Sequence, residues 1–127
     1  MRLLLDTHAL IWHREGSAQL SATARAMIAD PDNQVIISIA TLWEMSIKRS
    51  LGKLKTVKSP SGILDIYRAG GAELLSIAPE HIAAVESLPW HHRDPFDRML
   101  IAQAKVEKLI LITRDEAFGH YAIAQVW

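Results

Sequence analysis

The sequence contains no cysteine. That excludes disulfides, thiolate zinc sites and a cysteine nucleophile, and it fits a reducing compartment. Neither sign of charge is in surplus: Lys plus Arg number 14, and Asp plus Glu number 14. A protein holding nucleic acid by charge alone would be strongly basic, so any such binding must be local or metal-bridged. No apolar run approaches the roughly 20 residues of a membrane span. The three leucines near the N-terminus are interrupted by Asp6 and His8 before they could form a signal peptide. A cytoplasmic location and no membrane partner are expected. No G-x-x-x-x-G-K-[ST] phosphate loop is present, which argues against an NTPase. Internal repeats, long linkers and low-complexity segments are missing too.

What is present suits one domain over residues 1–127. Half of the residues are hydrophobic and 22% are charged, enough apolar material for a core without staples. Arg2-Leu3-Leu4-Leu5 reads as a strand buried on both faces, and Val35-Ile36-Ile37 as a second, rich in β-branched residues. Glu73 to Ile77 and Leu109 to Thr113 read as further strands, and Ala122 to Val126 as a last, edge strand. Between them the periodicity predicts helices over Thr7 to Arg14, from Ser21 to the turn at Asp30-Pro31, over Ile39 to Leu51, Ser61 to Ala69 and Pro79 to Ser87, and from Asp94-Pro95 to Lys108. Lys53 to Ser59 reads as an exposed loop. Alternating strands and helices imply right-handed crossovers and a mostly parallel sheet of four to five strands covered on both faces.

Four acids do not suit their positions. Asp6 and Asp115 each stand just past a buried strand, where open α/β sheets gather ligands; each also suits a helix N-cap. Glu44 lies on one helical line with Ala40, Ile47 and Leu51. A buried glutamate is costly unless paired or metal-bound, and the plain alternative is an ion pair with Lys48, one turn on. Asp97 is the polar member of a stripe with Leu100, Ile101 and Ala104. Asp94 already serves as cap and Pro95 as first helical residue; Asp97 is then either a first-turn acid favoured by the helix dipole or one aimed at the strand ends. In a parallel sheet all four positions fall on one edge. Bare carboxylates there would repel, at ~4 Å and an effective dielectric of ~20 by on the order of 4 kcal/mol per pair. A hard divalent cation removes that cost, and oxygen donors suit Mg²⁺ or Mn²⁺. Such a site points to phosphoryl chemistry. His8, His91 and His92 read as solvated loop histidines.

Four stretches in this order, LLLDTHALIW at 3–12, SIATLWEMSIK at 38–48, HRDPFDRMLIAQA at 92–104 and LITRDEAF at 111–118, give the chain its resemblance to the PIN-domain family, and within it to the VapC-type toxins of bacterial toxin–antitoxin pairs. The resemblance covers nearly the whole chain. It implies a three-layer α/β/α sandwich with Asp6, Glu44, Asp97 and Asp115 as the acids that hold one or two Mg²⁺ or Mn²⁺ ions for RNA cleavage. Thr7, Ser38 and Thr113 match small hydroxyl positions around that site and also suit helix caps. The resemblance further implies a cognate antitoxin, whose tail blocks the acidic site with a basic side chain, and a homodimer.

Two other readings compete. One is a catalytically inactive module of the same fold that captures a basic partner peptide in its acidic pocket. The other is a receiver-like or phosphatase-like domain using Asp6. A haloacid-type phosphatase needs a second aspartate two residues after the first, and here that position is His8.

Overall fold

Leu3, Leu4 and Leu5 are completely buried because they form the middle strand of the molecule. A computed structural model describes residues 1–127. Its strands are β1 (Arg2–Leu5), β2 (Gln34–Ser38), β3 (Glu73–Leu75), β4 (Ile110–Ile112) and β5 (Gln125–Val126). They make one sheet in the order β3-β2-β1-β4-β5, and every pairing is parallel. The helices are α1 (Thr7–Glu15), α2 (Ala22–Ala29), α3 (Ile39–Ser50), α4 (Pro60–Ala69), α5 (Pro79–Ser87) and α6 (Pro95–Glu107).

The strand period of two divides β1 between two cores. Leu3 and Leu5 join Ile37 and Ile112 beneath α1, α2 and α4, with Ala9, Leu10, Ala24, Ile63 and Met45. Leu4 joins Ile36 and Leu111 on the other face, beneath α6, with Leu100, Ile101, Leu88 and Phe118. This is the α/β/α sandwich, with one apolar core on each side of an all-parallel sheet. Burying each leucine of β1 stabilises the fold by about 1.5–3 kcal/mol.

Helix boundaries follow local chemistry. Asp6, Ser21, Ser38, Ser59 and Asp94 cap the helices that follow them, each accepting a backbone N–H from the first turn. Gly16 ends α1 with φ 65°, a left-handed cap that glycine adopts without strain. Two elements depart from the sequence expectation. β3 and β4 are three residues each, shorter than predicted. Residues 116–121 wind into a 3-10 helix, so only Gln125 and Val126 remain for the edge strand.

The line Ala40, Glu44, Ile47, Leu51 on α3 is only half a core line. Ala40 and Glu44 are buried, whereas Ile47 and Leu51 are exposed. α3 packs against α6, α4 and α1 at one end of the sheet, and its later turns run out into solvent. No helix is long and apolar enough to cross a membrane.

Candidate functional site

Each of the four acids is delivered to the carboxyl edge of the sheet by a different element. Asp6 continues the ladder beyond β1: its N–H donates to the Ile112 carbonyl at 3.1 Å. β4 is the immediate neighbour of β1, so Asp115, two residues past Thr113, reaches the same rim. Glu44 arrives on α3 after β2, the other neighbour of β1. Asp97 arrives in the first turn of α6, which packs on α3.

Asp6 both caps and faces the rim. Its Oδ1 accepts the Ala9 N–H at 2.7 Å. Its pKa is raised, chiefly by burial and also by Glu44, against the opposing pull of hydrogen bonds from Thr113 and Ala9 and of His8. The Thr113 hydroxyl therefore serves two acids at once, because it also accepts the Asp115 N–H at 3.1 Å.

Glu44 is buried, with one oxygen bonded by the Thr7 hydroxyl and the other by Lys48 Nζ at 2.7 Å. The ion pair considered from sequence is thus real, and it coexists with burial at the rim. Asp97 feels the whole group. Its carboxyl is pushed up to about 7, first by burial, then by Asp94, Glu44 and Asp6, while His92 opposes. Asp6, Glu44 and Asp97 therefore form one electrostatic unit of like charges.

Asp115 is less tightly drawn in. Its Oδ1 caps the 3-10 helix through the Ala117 N–H at 3.0 Å, and its Oδ2 meets His92 Nε2 at 3.0 Å. Burial works to raise its pKa but is outweighed by the His92 and Ala117 hydrogen bonds and the His92 charge, so the carboxyl is held low. The other acids are not among the forces acting on it. His92 is therefore no solvated loop histidine: its ring packs on Phe118 and Tyr121.

The side chains as placed do not converge into a ready-made ion cage of three acids or histidines. Glu44 is already engaged by Thr7 and Lys48. The donor set nonetheless fits a hard divalent ion. It consists of carboxylate oxygens, with two members whose burial penalises the bare charge, which is the cost a cation removes. Thr41 adds a buried hydroxyl without a partner, one helical turn before Glu44.

Sequence reasoning missed three polar groups that hold this region. Arg98, next to Asp97, is buried and donates to the carbonyls of Val85, Leu88, Pro89 and His92. Its guanidinium also lies 3.8 Å from the centre of the Trp90 ring. Gln103 is buried and bonds Ser38 Oγ at 2.5 Å, so the Ser38 hydroxyl serves capping and packing. His81 is buried between the Ala78 N–H and Glu107. The sequence signal for Arg98 was an arginine on a helix face between apolar neighbours, but its partners are backbone carbonyls and leave no side-chain pattern to read.

Two hollows lie away from the acids, one lined by Leu10, Arg14, Lys55, Val57 and Ile63, another by His13, Gln34, Tyr67 and Gly71 at the opposite edge of the sheet.

Comparison with known proteins agrees with this architecture. The family model for the PIN domain matches residues 3–124. The chain is similar in structure to VapBC2 from Rickettsia felis bound to a DNA fragment from their promoter, with a TM-score of 0.74, 16% identity and coverage of 99% of this chain and 98% of that one. It is similar to VapBC-1 from nontypeable Haemophilus influenzae, with a TM-score of 0.69, 16% identity and coverage of 99% and 97%. It is also similar to FitAcB from Neisseria gonorrhoeae, with a TM-score of 0.65, 19% identity and coverage of 98% and 96%. At these identities the likeness is one of fold. No curated protein matches the sequence significantly.

Proposed function

Because the chain belongs to the PIN domain family, we propose that it is a metal-dependent endoribonuclease, hydrolysing RNA phosphodiester bonds as the toxin of a toxin–antitoxin pair. The observation that carries this reading is the coupling of Asp6, Glu44 and Asp97 on one edge of the sheet, with Asp97 raised to about 7 by burial and by its acidic neighbours. Three mutually repelling acids at one edge of a parallel sheet, with a fourth on the neighbouring strand's end, are poorly explained by stability alone.

In this reading Asp6, Glu44, Asp97 and Asp115 hold Mg²⁺ or Mn²⁺. Such an ion, when bound, lowers the pKa of its water and offsets charge on the phosphodiester. The chain's own residues supply the rest. Thr113 fixes Asp6 relative to Asp115, Thr7 orients one oxygen of Glu44, and Lys48 holds the other. Neutralisation by a basic side chain from an antitoxin is consistent with Glu44 already pairing with an ammonium group, that of Lys48. A homodimer is supported by α3, where Ile39, Trp43 and Ile47 form an exposed apolar stripe at i, i+4 and i+8.

The test is incubation of purified protein with total RNA, with Mn²⁺ or with EDTA, followed by mapping of new 5′ ends. Cleavage is expected with Mn²⁺ and lost with EDTA and in Asp97→Asn. Equal cleavage by Asp97→Asn would overturn the proposal. Metal uptake without any cleavage would favour the inactive peptide-binding module instead.

A further inference from the structure

Asp115 poses a problem of order. Its side chain is 47% exposed, so nothing but specific bonds can hold it at the rim. Both oxygens are bonded, one by the Ala117 N–H and the other by His92. His92 is itself held on every side. Its ring stands 4.6 Å from the Phe118 ring centre and 5.4 Å from that of Tyr121. Its Nδ1 lies 3.0 Å from the Tyr121 hydroxyl, and its carbonyl accepts from Arg98.

In the neutral ring this arrangement assigns the single imidazole proton. An ionised carboxylate only accepts hydrogen bonds. His92 Nε2 therefore donates to Asp115, and in the neutral ring the Nδ1 lone pair is left to accept the Tyr121 O–H. A phenol thus selects the tautomer of a histidine, and the histidine fixes a carboxylate.

We propose that His92, locked by Tyr121, is the positioning residue for Asp115. This rests on the reading of Asp115 as part of the acidic site. His92 does not touch the substrate; it acts by removing rotational freedom from an exposed acid that the proposed site shares with buried Asp6 and Glu44 and half-buried Asp97. Outer-shell partners of ligating groups typically contribute 10–100-fold to metal affinity or activity, and the same scale is expected here.

The experiment has two arms. In the first, ¹⁵N NMR of the apo protein reads the His92 tautomer. The Nε2–H form is expected in the wild type, and a mixed population in Tyr121→Phe. A dominant Nδ1–H form in the wild type would overturn the proposal. In the second, Mn²⁺ binding by calorimetry and steady-state RNA cleavage are compared for His92→Phe, His92→Gln and Asp115→Ala. Phenylalanine keeps the contacts with Phe118 and Tyr121 but has no N–H, while glutamine restores a donor. His92→Phe should lower Mn²⁺ affinity and kcat about tenfold or more at unchanged KM, with partial recovery in His92→Gln. Wild-type affinity and kcat in a folded His92→Phe would overturn the positioning role while leaving the nuclease reading intact. Wild-type behaviour of Asp115→Ala beside an inactive Asp97→Asn would do the same. A wild-type protein that neither binds Mn²⁺ nor cleaves RNA would overturn both.

Discussion

Asp97 carries a pH dependence that can be worked out in sign. Its pKa rises from 3.8 in the unfolded chain to about 7 in the folded one. Between roughly pH 4 and 7 the native state holds a proton that the unfolded state has lost, so stability falls as pH rises through that window and levels off above it. Asparagine carries no such cost. Asp97→Asn should therefore raise the thermal midpoint at pH 8 and leave it unchanged near pH 3.5. The side chain is half-buried, and solvent screening reduces the gain to roughly 1–2 kcal/mol. Differential scanning calorimetry at the two pH values checks this, and an equal shift at both would refute it. The same acid stood out in the sequence as the polar member of an apolar helical stripe, although the helix dipole offered an alternative reason for it. His92 was not legible, since its partners Asp115 and Tyr121 lie 23 and 29 residues away and meet it only through the 3-10 helix.

At the level of elements, α6 does most to place the site, and Arg98 ties it to the segment before it. Four carbonyls from residues 85–92 converge on that guanidinium. Removing it strands buried acceptors and unlatches the loop that carries His92. Arg98→Met keeps the length and loses every donor, so it should cost about 3–5 kcal/mol. Urea unfolding should show a lower midpoint, and a loss under 1 kcal/mol would contradict the role. Capping shows what local sequence can reveal about elements. Ser21, Ser38 and Asp94 were placed at helix starts from residue type and position, and each accepts an amide of the first turn, whereas Ser59, read as loop, proves to be the cap of α4. The 3-10 helix was missed because a tight turn of six residues has no hydrophobic period to detect. The outer half of α3 was misjudged for the converse reason: its apolar period continues, but no partner element covers it.

That uncovered stripe belongs to the molecule as a whole. Ile39, Trp43 and Ile47 face away from both cores, and Trp43 remains 57% exposed even with its ring against Phe96. If a second copy covers this face, Trp43→Glu should yield a monomer by light scattering at concentrations where the wild type is dimeric, with little change in helix content. A wild type that is monomeric at high concentration would remove this prediction. The sheet order was only partly readable in advance. Buried runs identified the strands, and parallel crossovers followed from the alternation. That β1 lies centrally, between β2 and β4, depends on which helix covers which face, information held in packing between distant segments.

The central place of β1 has a consequence for synthesis of the chain. Leu3 pairs with Ile110 and Leu5 with Ile112, so during synthesis β1 waits for β4, over a hundred residues later by number, before its second flank is closed. Glu44 can meet Asp6 early, but Asp97 and Asp115 arrive only with the final quarter of the polypeptide. A prematurely released fragment lacks half of the acids and one wall of the central strand. On the proposed reading, the acidic edge is complete only once α6 and the segment after β4 have been added.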